Sequence, residues 1–135
     1  MERKQGNYGA ARELFAEALA IKREIGDQEG MCHSLAVTGC LLASREQHQA
    51  AAVCLYGARH YAAKLGYTFE PTERELLEQG LAITEHPDTG LPPADRERLK
   101  AQAEAMSLDD LAQFAQGELE KLKDILGAAE QQAGA

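Results

Sequence analysis

Residues 5–26, QGNYGAARELFAEALAIKREIG, set above residues 45–66, REQHQAAAVCLYGARHYAAKLG, decide how this chain folds. At this offset of 40, Ala11 falls on Ala51, Phe15 on Leu55, Ala18 on Ala58, Ile25 on Leu65 and Gly26 on Gly66. Small and apolar residues recur at steps of three and four, the spacing that lines one face of a helix. Each copy closes on an apolar residue followed by glycine, which stops a helix by taking up left-handed backbone without a Cβ penalty. A segment that repeats itself in this way points to a helical array.

Working outward, Gly6-Asn7 opens a helix expected to run to Ile25, with Ala11, Leu14, Phe15, Ala18, Ile21 and Ile25 on one face. Residues 30–43 read as a second helix around Leu35, Ala36, Gly39, Leu42 and Ala43, and 44–48 as a polar turn. A third helix, from Gln47 to Leu65, turns Ala51, Leu55, Ala58, Tyr61, Ala62 and Leu65 inward. After Gly66 the period fails and Tyr67–Pro71 reads as a linker. Pro71-Thr72 then starts a helix, Glu75 standing three after Thr72 in a capping-box pattern. Leu76, Leu77, Gly80, Leu81 and Thr84 mark its inner face, and His86-Pro87 ends it. Pro92-Pro93 opens a polar helix to Met106 anchored by Leu99. Ser107 with Asp110 caps a last helix striped by Leu108, Leu111, Phe114 or Ala115, Leu119, Leu122, Ile125 and Leu126. Gly127 is expected to end that helix, and 128–135 to form a disordered tail.

Composition supports an all-α fold of about six helices. Alanine occurs 24 times and leucine 17 times, against 11 valines, isoleucines and threonines together. With no tryptophan, the core must be leucine and alanine, which favours close helix contacts. The net charge of −8 is uneven: 7 acidic and 8 basic residues lie in 1–66, 15 acidic and 6 basic in 67–135. An acidic half repels phosphate backbones, so no direct nucleic-acid binding is expected. No apolar run approaches the ~20 residues of a membrane span, so no membrane association is expected either. Three cysteines, Cys32, Cys40 and Cys54, with no leader sequence at Met1–Lys4, suggest free thiols in a reducing, cytoplasmic setting.

Gln5-Gly6-Asn7-Tyr8, followed by Ala11, Phe15 and Ala18, resembles the second half of a tetratricopeptide repeat (TPR). In that family a glycine-polar-tyrosine turn joins two helices, small residues let helices approach, and an aromatic fills the gap between repeats. Leu35, Gly39, Leu42, Ala51, Leu55 and Ala58 fit the same pattern, but Glu46-Gln47-His48 replaces the turn, and the period of 40 exceeds the usual ~34. The resemblance covers residues 1–66; 67–127 follows as a C-terminal helical extension. With Gln5-Gly6 as the turn, only Met1–Lys4 remain of the helix before it. The chain is therefore expected to begin inside a repeat, as a piece of a longer protein or with the missing helix supplied by something else. Ala50–Ala63, a proline-initiated acidic helix and Met106-Ser107-Leu108-Asp109-Asp110 are similar in order to the C-terminal end of large bacterial regulators. Those couple a nucleotide-hydrolysing signalling module, often with a LuxR-type or cyclase domain, to a helical-repeat tail. No Gly-x-x-x-x-Gly-Lys loop occurs here.

Chemistry is sparse. Cys32, His33, Cys40, His48, Cys54 and His60 crowd one region, but Cys32 and Cys40 lie about 80° apart around a helix and Cys54 and His60 about 120° apart. That spacing does not converge on a metal. Cys32 and His33 diverge by about 100°, which disfavours a thiol–imidazole pair. Asp109-Asp110 sits where a helix dipole favours acids. No catalytic residue, cofactor or metal is expected; a protein or peptide partner is. The resemblance implies that first helices line a concave groove, here His33, Ala36, Cys40, Ala43 and Ser44, suited to an apolar helix. Leu14, Phe15, Ala18 and Ile21 are expected to stay partly uncovered and to form the face of a homodimer.

Overall fold

A computed structural model describes the backbone of residues 4–134 and the side chains of residues 9–122. The described backbone is all-helical: α1 (Lys4–Ile25), α2 (Gln28–Ser44), α3 (His48–Leu65), α4 (Pro71–Thr84), α5 (Pro93–Ala105) and α6 (Leu108–Gly134). The repeat at offset 40 is physical. Gly26 and Gly66 both adopt φ 71°. Each is followed by the same closing bond, Asp27 N–H to the Lys22 carbonyl at 2.9 Å and Tyr67 N–H to the Ala62 carbonyl at 2.8 Å. Past the first stop, the Asp27 carboxylate accepts the Gly30 N–H at 2.9 Å and starts α2 at once.

Helix α2 lies at the centre, packed by α1, α3, α4 and α6. Met31, Cys32, Ser34, Leu35, Ala36, Val37, Thr38, Gly39, Leu41, Leu42 and Ala43 are all buried, so it is covered on nearly every side. Its tightest contact is with α3. A Cβ on Gly39 would stand 2.6 Å from Leu55 Cδ2, and one on Gly80 of α4 would stand 3.0 Å from Leu55 Cδ1. Three helices therefore close on one leucine through two glycines. Gly57 of α3 gives Leu111 of α6 similar room. Helix α5 packs on α3 through the buried Leu99 and Ala103.

Helix α6 folds back against α1 and also touches α2 and α3. Leu108, Leu111, Ala115, Leu119 and Leu122 are buried, as the stripe predicts, and Phe114 is half-buried. Ile125 and Leu126 lie outside the described side chains. Ser107 Oγ accepts the Asp110 N–H at 3.0 Å and caps the helix.

Four local expectations need correction. Gln5-Gly6 is not a turn, because α1 already begins at Lys4. Helix α4 starts at Pro71, but its capping box lies two residues before the expected Thr72–Glu75 pair: Pro71 needs no N–H partner in the first turn, so Glu70 becomes the cap residue, and Glu73 replaces Glu75 as its reciprocal acid. Helix α6 continues through Gly127 to Gly134 where a disordered tail was expected, since the alanines, glutamate and glutamines of 128–133 are strong helix formers. The single apolar face read on α1 is split, with Phe15 packed on the core. Leu19 and Arg12 are buried, while Leu14, Ile21 and Ile25 are exposed.

Candidate functional site

Three of the four exposed large hydrophobics among the described residues, Leu14, Ile21 and Ile25, lie on the outward face of α1. Leu14, Ile21 and Ile25 are 65%, 59% and 68% exposed, whereas most leucines of the other helices are buried. Ala18, half-buried, completes a row at steps of four, three and four. That row spans about 16 Å of helix. Of the four residues expected on a dimer face, Leu14 and Ile21 are open, Ala18 is half-buried, and Phe15 packs on the core. Ile25, not among the residues expected on that face, belongs to the open row.

The cations of α1 explain why this edge is left out. Arg12 is buried and its Nη1 donates to the Leu119 carbonyl at 3.3 Å. Arg23 donates to both carboxylate oxygens of Asp109, at 3.1 and 3.2 Å, and to Gln116 Oε1 at 2.6 Å. Both arginines point at α6, so α6 covers the Arg12–Leu19–Arg23 side and not the Leu14–Ile21 side. Beside Arg23, the Asp109 carboxyl is held below its ordinary value.

The residues expected to line a groove sit on the side of α2 that α4 covers or deeper. Ala36 and Ala43 are closed to solvent, and a Cβ on Gly80 would reach the Cys40 Cα at 3.2 Å. Ser44 is half-buried and donates to the Leu41 carbonyl at 2.7 Å. His33 Nδ1 is paired with Glu73 Oε2. The chain's own α4 thus stands where a groove occupant would lie.

Around Glu73 a polar knot ties α2, the 67–70 linker and α4 together. The carboxylate is buried. It takes the Tyr67 hydroxyl at 2.8 Å on each oxygen and the Glu70 N–H at 2.6 Å. Burial pushes the Glu73 carboxyl up, but the Glu70 N–H, the Tyr67 hydroxyl and His33 outweigh it and leave it below its ordinary value. Burial and the facing carboxylate raise the Tyr67 phenol. Sequence reasoning missed this cluster because His33 and Glu73 are forty residues apart.

The cysteines do not assemble a centre. Among the described residues no group of three or more His, Cys, Asp or Glu could hold a metal. Burial, helped by Glu29 and Glu73, pushes the Cys32 thiol up to about 11, and burial raises Cys40 and Cys54 as well. Thiolate fraction and access together order their reactivity: in the native chain Cys40 alkylates first, and Cys54, wholly buried, is protected until unfolding. Mass mapping after timed iodoacetamide treatment checks this; rapid native labelling of Cys54 would contradict the packing of α3.

A cleft of about 460 Å³ opens between the start of α3, α5 and α6, lined by Gln47, His48, Val53, Leu99, Phe114 and Glu118 among others. His48 Nδ1 is buried there without a hydrogen-bond partner. Among the described residues, no helix is long and apolar enough to cross a membrane. Compared with known proteins, the chain matches no family model, no curated protein and no solved structure.

Proposed function

We propose that this chain is a non-catalytic protein-interaction module that docks a partner on the open face of α1. The observation that carries the reading is the row of Leu14, Ile21 and Ile25, exposed on a helix whose other side is fastened by buried contacts. Water contact over such a row is costly, at about 25 cal/mol per Å² of apolar surface, and contiguous exposure of this kind marks interaction sites. The shared endings of α1 and α3 support a TPR-like array, and with it the C-terminal region of a bacterial transcriptional or signalling regulator. In that setting the module scaffolds or senses, and catalysis belongs to other parts.

A second reading rests on the four–three–four spacing of Leu14, Ala18, Ile21 and Ile25, which suits helix pairing: the chain is a homodimer closed through the same face. Light scattering behind a sizing column separates the two, a mass near twice 14.7 kDa meaning self-assembly. The double substitution Leu14→Glu and Ile21→Glu should abolish docking of either kind. Because both side chains are already in water, it should change folding stability by only about 0.5 kcal/mol. Retained dimer mass or retained partner binding in that variant would remove α1 as the docking face.

A further inference from the structure

The open face of α1 carries more than an apolar row. Glu13, Glu17 and Glu24 are exposed beside Leu14 and Ile21, offset by four and seven residues and so aligned as a second row. At 100° per residue the two rows run parallel, about 80° apart around the helix. Among the described residues none of the three glutamates has an ion-pair partner, although Arg12, Lys22 and Arg23 lie on the same helix. Those cations are engaged elsewhere: Arg12 with Leu119, Lys22 Nζ with Ser34 Oγ at 3.0 Å, Arg23 with Asp109. Between residues 9 and 25 every cation is thus committed within the chain and every carboxylate faces water.

We infer that this face docks an amphipathic helix whose apolar stripe is flanked by a row of lysine or arginine. The inference rests on the docking reading above and adds the chemistry of the occupant. Apolar packing of Leu14, Ile21 and Ile25 supplies adhesion, and Glu13, Glu17 and Glu24 select the partner's charge and orientation. A second copy fits less well. About an antiparallel two-fold, both acidic rows fall on the same side, carboxylate against carboxylate. About a parallel two-fold, each acidic row meets the edge carrying Lys22, whose ammonium is held by Ser34. A basic helix meets neither obstacle.

The test uses the full chain and two synthetic helical peptides with identical leucine stripes. One carries lysine and the other glutamate along the flank. Binding is followed by fluorescence anisotropy at low and high salt. The lysine peptide should bind about tenfold more tightly than the glutamate peptide, the sum of three exposed ion pairs, and the margin should shrink as salt rises. Glu17→Lys with Glu24→Lys should reverse the preference, with helicity by circular dichroism unchanged. If both peptides bind alike and charge reversal does nothing, the basic partner is wrong while the docking face stands. If the chain has twice its monomer mass and binds neither peptide, a second copy is the occupant and the inference again fails alone. A monomer that binds neither peptide sinks this inference and the docking reading together.

Discussion

Leu55→Ala should destabilise the chain by about 2–5 kcal/mol, the range for deleting a fully enclosed leucine. Leu55 is 0% exposed, and its side chain fills the space left by two glycines, Gly39 of α2 and Gly80 of α4. Removing it opens a void at the junction of three helices, where backbone-to-backbone proximity leaves little scope for collapse. The urea midpoint should fall with an unchanged slope, the signature of lost stability without a change in the surface exposed on unfolding. The same geometry makes a coupling prediction. Gly39→Ala alone places a methyl 2.6 Å from Leu55 Cδ2 and should cost about 1–3 kcal/mol by overpacking. In the Leu55→Ala background that methyl enters the void, so its cost should vanish or change sign. Additive effects in the double mutant would mean that Leu55 does not sit between α2 and α4.

Glu73→Gln should cost about 1–3 kcal/mol at neutral pH, because the amide offers fewer acceptors to three donors arranged for a carboxylate. Tyr67 and the Glu70 N–H both point at it, and His33 is paired with it. The effect depends on pH in a defined direction. The folded-state carboxyl lies below its ordinary value. The native state therefore favours the ionised form, and the contribution is fully present above the unfolded pKa of about 4.3. It is lost as pH falls through the lower folded value. Urea midpoints measured from neutral to acidic pH should converge between the native chain and Glu73→Gln on that acid limb. A gap that stays constant with pH would mean that the knot is held by shape and not by the carboxylate charge.

Much of the local structure was legible because its causes are local. Gly26 and Gly66 end their helices by adopting backbone that few other residues tolerate, and both were readable from the letter and its apolar neighbour. Ala51, Leu55, Ala58 and Ala62 of α3 are buried as their spacing predicts, and Ser107 caps α6. The capping box of α4 was missed by two residues because two overlapping cap patterns competed. Pro71 settled the choice for Glu70 and Glu73, and Glu73 gained Tyr67 and His33 as further partners.

What the sequence determined by itself is therefore the set of helices, most of their ends and the inward faces of α2 and α3. Those follow from hydrogen bonding, backbone sterics and hydrophobic periodicity within a few turns. Which edge of α1 is covered was decided only in the tertiary structure. The helix has two apolar edges, one with Phe15 and Leu19 and one with Leu14, Ile21 and Ile25, and nothing within its own residues ranks them. Arg12 and Arg23 reach α6 across about a hundred residues of chain, and that distant fastening buries the first edge and leaves the second open. The expected groove on α2 met a similar fate: α4 lies over it, joined through the His33–Glu73 pair. Long-range pairings of this kind leave no periodic trace in sequence, because each partner is an ordinary surface residue until the other helix arrives.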